Sequence, residues 1–442
     1  MSSTDPLYPE HSPNDFTHPT LSKGVTKGGL LRSLGPGLIT GAADDDPSGI
    51  ATYSQVGAQF GFSMLWVMLF SYPLMCGIQE ISGQIGRVTG RGIAGNLRLY
   101  YPPNVLFILV NLMLIANIIN LGADIGAMGA AMKLLIGGSA LIYAALFALG
   151  SAALETVMAY EKYAGVLKWM CAALFAYVAT VFVVHVPWGA ALRATVVPSL
   201  ALNVAAVTSI VAVLGTTISP YLFFWQAQEE VEIEKANPKE HPLKQAPRQA
   251  QVQLHRIRVD TYAGMAFSNL VSFFIILTTA VTLHLHGITD IQTSTQAAEA
   301  LRPIAGHFAF LLFSLGIIGT GLLALPVLAG SAAYAVGEAL QWRVGLSKTF
   351  PHAKRFYAVI AVSMFIGLAL DFFDLNPIKA LFWSAVINGV VAAPIMFIMM
   401  LMGQSQKIMG QFTLGRRSRV LGWAATFVMG AAAIGLFATW GK

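Results

Sequence analysis

Residues 41–50 read Gly-Ala-Ala-Asp-Asp-Asp-Pro-Ser-Gly-Ile, so Asp44, Asp45 and Asp46 interrupt an otherwise apolar run over 38–69. A charged side chain at mid-bilayer costs about 2.5–3.5 kcal/mol on insertion scales, so such acids are functional candidates by default. Pro47 has no backbone N–H and clashes with the carbonyl four residues back, so a helix through this stretch must break. Irregular backbone at membrane depth survives only where it is buried in protein or lines a cavity. Carboxylates beside freed carbonyls at such a break are suited to binding a cation. Asp46 beside the proline leads the candidates, with the Ser48 hydroxyl next to it and Asp44 and Asp45 as outer acids or gate residues.

A second stretch has the same design with hydroxyls in place of acids: Leu214-Gly215-Thr216-Thr217-Ile218-Ser219-Pro220-Tyr221. Interrupted segments at corresponding positions of two halves point to an inverted-repeat transporter with its site at the midplane. Asp124 is a further acid inside an apolar run, with Asn117 and Asn120 on nearby turns. Asn388 could reach the same site from late in the chain.

The chain that must hold these residues has 442 positions, 56% hydrophobic and 11% charged. Soluble domains carry about 25% charged residues, so the composition is that of a polytopic membrane protein. Stretches of about 20 residues can span, and they fall at 36–58, 62–85, 104–130, 136–155, 164–186, 203–228, 260–284, 306–335, 356–373, 378–402 and 419–440. All but Lys133, Arg193, Arg302, Lys379 and Lys442 of the 27 Lys and Arg then lie on one side. The positive-inside rule makes that side cytoplasmic, with the N-terminus inside and the C-terminus outside. The net charge of +6 is thus a topology signal, and no nucleic-acid partner is called for.

Residues 1–30 are polar and lack a signal-peptide core, so they read as a disordered cytoplasmic tail. Cys76 and Cys171 both fall in apolar spans and read as packing residues. The linker 229–258 opens acidic and closes basic, and reads as a solvated segment with an interfacial helix near its end. Glu80, Glu155 and Glu338 lie near span ends, as salt-bridge or gate residues would.

The residues carry a family resemblance. Gly35-Pro36-Gly37-Leu38-Ile39-Thr40-Gly41 followed by Asp46-Pro47-Ser48-Gly49 resembles the first helix of the NRAMP divalent-metal transporters, whose motif there is Asp-Pro-Gly-Asn. Arg87-Val88-Thr89-Gly90-Arg91 resembles that family's loop after helix 2. Residues 215–226 stand where the family has Met-Pro-His, and Arg256-Ile257-Arg258-Val259-Asp260 resembles its entry to helix 7. The resemblance, over about 31–401, implies an all-α leucine-transporter-type fold of about eleven helices with helices 1 and 6 broken. On that fold 31–186 and 203–402 form the two inverted repeats, and 419–440 is an added helix. It also implies that Ala43 and Thr216, just before the breaks, offer backbone carbonyls to the ion.

The departures from the family carry a finer expectation. Gly49 stands in place of an asparagine ligand, and Ser219 in place of a methionine whose thioether favours softer ions. Carboxylate, carbonyl and water suit hard ions, and Mg²⁺ keeps several of its waters. The pattern resembles the NRAMP-related magnesium branch. Tyr221 and Gln226 replace two helix-6 histidines, and Asn120 and Ala123 replace two helix-3 acids of the proton route. None of these can carry a proton near neutral pH as His can.

The expectation is a secondary transporter of a divalent cation, foremost Mg²⁺, working by alternating access in a bacterial inner membrane without obligatory proton coupling. Its partners are the transported cation and membrane lipid, and no cofactor is expected. The first alternative is a proton-coupled Mn²⁺ or broad divalent carrier using Asp44, Asp45 or Asp124. A second is a cation-coupled carrier of amino acids or other organic solutes, against which the acids before Pro47 argue. A transport-dead metal sensor is a third. Enzyme activity is not expected, because no nucleotide-binding glycine loop, nucleophile elbow or His/Cys metal site is present.

Overall fold

The computed structural model describes residues 40–41, 43–157, 172–199, 203–348, 350–373 and 376–439. The tail 1–30, the start of the first span, Lys162, Lys168 and Cys171 lie outside these residues. Among the described residues the structure is helical, with no strand.

The first break falls where the three acids and Pro47 place it. Thr40, Gly41, Ala43 and Asp44 are helical, Asp45 and Asp46 are not, and α1 (Pro47–Phe60) restarts with the proline in its first turn. Proline is tolerated at that position because its missing N–H has no intrahelical partner to lose. The chain continues through α2 (Leu65–Thr89), the short α3 (Ile93–Tyr100), α4 (Pro103–Ile136), α5 (Ala140–Val157) and α6 (Phe175–Val183). The second break repeats the pattern. α7 (Val204–Thr217) ends, Ile218 and Ser219 are non-helical, and α8 (Pro220–Ala236) begins on proline. Then follow α9 (Ala250–Thr282), α10 (Ala309–Ala339), α11 (Lys354–Leu370), α12 (Pro377–Gln404) and α13 (Arg416–Thr439).

Eight helical stretches among the described residues are long and apolar enough to cross a membrane. One of them, Pro47–Thr89, contains both α1 and α2, and Ala140–Thr156 and Ala172–Val183 are shorter apolar helices. α1 is the hub of the bundle, packed against α4, α7, α9, α10 and α12. Two glycines let the broken helices approach their neighbours. A Cβ on Gly41 would sit 2.3 Å from the Gly264 carbonyl oxygen of α9, and one on Gly215 only 2.1 Å from the Ala385 carbonyl oxygen of α12. Small residues at such crossings are how membrane helices reach backbone contact.

The linker differs from the solvated segment with an interfacial helix that its composition suggests. Its acidic half continues α8 to Ala236, and α9 already begins at Ala250. Several of its charges are paired. Glu230 is fully buried against Arg256, Arg258 reaches Glu80 at 3.0 Å, and Arg87 reaches Glu240 at 2.5 Å. The physical reason is that α8 and α9 extend beyond their apolar stretches, and their charges meet each other and those of α2 there. Glu338 accepts the backbone N–H of Gly92 and of Gly95, each at 2.8 Å, fastening α3 to the end of α10. Glu155 is buried beside the Ser151 hydroxyl at 3.4 Å.

Candidate metal-ion site

Asp46 closes the N-terminus of α1. Its Oδ1 accepts the Gly49 N–H at 2.7 Å and the Ser48 hydroxyl at 2.8 Å. This is the ordinary work of an N-cap aspartate, whose oxygen satisfies N–H groups that lack an intrahelical partner. Its Oδ2 points the other way and accepts the Asn120 amide of α4 at 3.0 Å. The same Asn120 amide nitrogen lies 3.0 Å from Asp124 Oδ2, one turn further along α4. Asn388 of α12 donates to Asn120 Oδ1 at 3.1 Å. Four of the expected site residues therefore form one chain, Asp46–Asn120–Asp124 with Asn388 behind, drawn from three helices.

This cluster is sealed from solvent, with Asp46 1% and Asp124 0% exposed. Two acceptor oxygens in it have no hydrogen-bond partner, Asp124 Oδ1 and Asn388 Oδ1. Buried acceptors of this kind are satisfied by a water or an ion. All donors to an ion here are oxygens, the set that suits Mg²⁺, Ca²⁺ and Mn²⁺.

The remaining expected residues are placed differently. The Ser219 hydroxyl donates back to the Gly215 and Thr216 carbonyls at 2.7 and 2.9 Å, the local bond a serine makes at a helix end. Those bonds use the hydroxyl's proton and leave its oxygen lone pairs and one lone pair of the Thr216 carbonyl. The Ala43 carbonyl accepts the Tyr221 hydroxyl at 3.2 Å. Thr40 donates to Gln226 at 2.8 Å, a second link between the two broken helices. Asn117 turns away to the Leu328 carbonyl and the Ser331 hydroxyl of α10, both at 2.9 Å.

Asp44 and Asp45 face the opposite side from Asp46. Ser268 of α9 donates toward Asp44 Oδ2 at 2.6 Å and Asp45 Oδ1 at 3.1 Å, and Ser272 reaches Asp45 Oδ1 at 3.2 Å. Ser268 and Ser272 thus join the residues around the first break, beyond those expected from the sequence. The available signal was a pair of hydroxyls four residues apart, hence on one helix face, within an apolar span.

An apolar bundle whose two proline-started helix breaks meet beside a sealed acidic cluster defines an integral membrane protein with the leucine-transporter-type fold. The chain belongs to the Nramp family, since the family described as natural resistance-associated macrophage protein-like matches residues 37–439. It is 26% identical over 405 residues to a divalent metal cation transporter, MntH, of Klebsiella pneumoniae, covering 90% of this chain and 92% of that one. Its fold is similar to that of the Eremococcus coleocola manganese transporter, solved with an aromatic bis-isothiourea compound. That likeness has a TM-score of 0.74 at 15% identity and covers 97% of this chain and 90% of that one. It is also similar to MhsT, solved with L-phenylalanine, with a TM-score of 0.57 at 13% identity, covering 91% of this chain and 98% of that one.

Proposed function

We propose that this protein carries a hard divalent metal cation across the membrane by alternating access, with Asp46 and Asp124 as its charged ligands. The observation that carries the reading is the sealed oxygen cluster in which Asn120 holds both carboxylates at 3.0 Å. Asp46 and Asp124 together match the charge of one divalent ion. The names of the relatives, a divalent metal cation transporter and a manganese transporter, support Mn²⁺ as a substrate.

A second reading, Mg²⁺ as the physiological ion, is favoured by a specific observation. Gly49 offers no side-chain donor, and Ser219 offers at most one neutral hydroxyl oxygen. A site with few direct protein ligands suits an ion that keeps most of its water. Transport without obligatory proton coupling is proposed on the same grounds, because Asn120, Tyr221 and Gln226 provide no carrier that titrates near neutral pH. Two charges crossing 100 mV gain about 4.6 kcal/mol, which is sufficient to drive uptake. The Lys and Arg placement supports a cytoplasmic N-terminus, and the MntH likeness supports a bacterial inner membrane.

The test is uptake into proteoliposomes with an imposed potential and a pH dye inside, Mn²⁺ against Mg²⁺. Influx of either ion that follows the potential without acidifying the lumen is expected. Influx of Mn²⁺ alone, with protons, would reject both the Mg²⁺ reading and uncoupled transport. No influx of either ion would remove the divalent-cation reading itself.

A further inference from the structure

α13 packs against α2, α7 and α12, and its buried residues, Gly422, Ala425, Met429 and Leu436 among them, lie on one face. The opposite face is open. Arg416, Val420 and Phe427 follow one another at four and seven residues and so share it. Val420 is 60% and Phe427 76% exposed, and Arg416 is exposed with them. At 1.5 Å per residue, Val420 to Phe427 covers about 10 Å, which fits within one leaflet of a hydrocarbon core about 30 Å thick. The face therefore has the order and length of a phospholipid, a polar head followed by an apolar surface.

The head of this face carries charge that the fold leaves unmatched. Arg416, Arg417 and Arg419 occupy three of four consecutive positions, and Lys407 stands in the connection before them. No Asp or Glu occurs from 375 to 442. The arginines of α2 and α9 on the same Lys- and Arg-rich side differ, because Arg87, Arg256 and Arg258 have Glu240, Glu230 and Glu80 as partners. Every described acid on that side is buried or half-buried, so negative charge is turned inward. None of Lys407, Arg416, Arg417 and Arg419 belongs to an ion pair among the described residues. Arg417 stands over the Tyr262 ring of α9 at 5.3 Å, and Lys407 over the Tyr100 ring at 5.7 Å. Arg419 gives one N–H to the Leu414 carbonyl at 3.2 Å. None of these contacts supplies a negative charge.

We propose that the outward face of α13 binds one anionic phospholipid of the membrane, with its phosphate on Arg416, Arg417 and Arg419 and an acyl chain along Val420 and Phe427. Clusters of Lys and Arg beside a membrane helix attract anionic lipids. The planar fork of Arg matches phosphate oxygens bidentately, which Lys cannot do. A zwitterionic lipid brings its own cation, which a cluster without acids repels. A second copy of the chain fits this face poorly. Two copies related by a two-fold axis along the membrane normal would bring one arginine cluster against the other. Because Arg417 reaches the ring of Tyr262, a lipid held there fastens α13 to α9, outside its main packing partners. The proposal is independent of which ion the chain carries.

The test is native mass spectrometry of the full chain in a neutral detergent, titrated with phosphatidylglycerol or with phosphatidylcholine of the same acyl chains. The wild type is expected to retain one phosphatidylglycerol at least tenfold more tightly than phosphatidylcholine. Arg416→Gln/Arg417→Gln/Arg419→Gln is expected to lose that preference. Lys239→Gln/Arg248→Gln/Arg343→Gln removes three exposed charges of the same side, away from α13, and is expected to keep it. Arg416→Gln alone changes one exposed side chain, so it stays informative where the triple variant fails to fold, and at least a threefold loss is expected. A wild type without preference overturns the site. Equal loss in both triple variants also overturns it, in favour of diffuse attraction to surface charge. A wild type that is dimeric in these spectra, and monomeric once the three arginines are replaced, assigns the face to a second copy and overturns the lipid.

Discussion

The Tyr221 hydroxyl, in the first turn of α8, donates to the Ala43 carbonyl in the last turn before the first helix break, at 3.2 Å. The last carbonyl before the first break is thus tied to the other broken helix. A carbonyl oxygen has two lone pairs, so this one can keep the bond and still meet an ion. The bond contributes about 0.5–1.5 kcal/mol net. Tyr221→Phe is therefore expected to lower the melting temperature slightly and to leave Mn²⁺ affinity unchanged. Thermal unfolding and titration calorimetry on the purified variant check it. A gain in affinity of about tenfold would show that the hydroxyl and the ion compete for the carbonyl.

Asn120 is the joint of the acidic cluster. Asn120→Ala strips a donor from Asp46 and Asp124 and a partner from Asn388. Hydrogen bonds to charged groups contribute about 1.5–3 kcal/mol, so ion affinity should fall by about 10- to 100-fold. The concentration dependence of uptake in proteoliposomes should show this as a raised KM.

Asp46 combines a cap with a ligand, and two variants separate these roles. Asp46→Asn keeps an oxygen that can accept from Gly49, so the helix start is preserved while the charge is lost. Asp46→Ala also removes the cap, at about 0.5–2 kcal/mol. Both are expected to abolish uptake, and only the alanine variant to lower the melting temperature as well. Normal uptake by either would remove Asp46 from the site.

At the other end of the bundle Glu338 holds two N–H groups of the turn leading into α3. A Cβ on Gly92 would sit 2.5 Å from Glu338 Oε2 and 2.6 Å from Gln228 Oε1. Gly92→Val should force that carboxylate away and loosen the packing of α3 on α10. Crowding of this kind costs about 1–3 kcal/mol. The expected result is a lowered melting temperature with ion binding unchanged, since no residue of the cluster at Asp46 is touched.

Much of this protein can be read along the chain. The helix breaks follow from Pro47 and Pro220, because a missing N–H is a local property that acts wherever the residue stands. The apolar spans follow from hydropathy for the same reason, and acids within them indicate a binding function without any knowledge of their partners. The destination of each side chain was decided elsewhere. Asp44, Asp45 and Asp46 are adjacent and of one type, yet Asp46 turns to Asn120, 74 residues away, and Asp44 to Ser268, 224 residues away. That division depends on the extended backbone at Asp46 and on which helices flank α1, and helix packing sets both. Ser219 makes the same point. The sequence offers its oxygen to an ion, and only the geometry of the α7 end shows that its proton goes to the Gly215 and Thr216 carbonyls. Hydropathy and the two prolines alone set the apolar spans and the two helix breaks, and the acids at the first break mark it as the candidate cation site. The tertiary structure decided which oxygens meet, because convergence across several helices is a property of their packing and of no single segment.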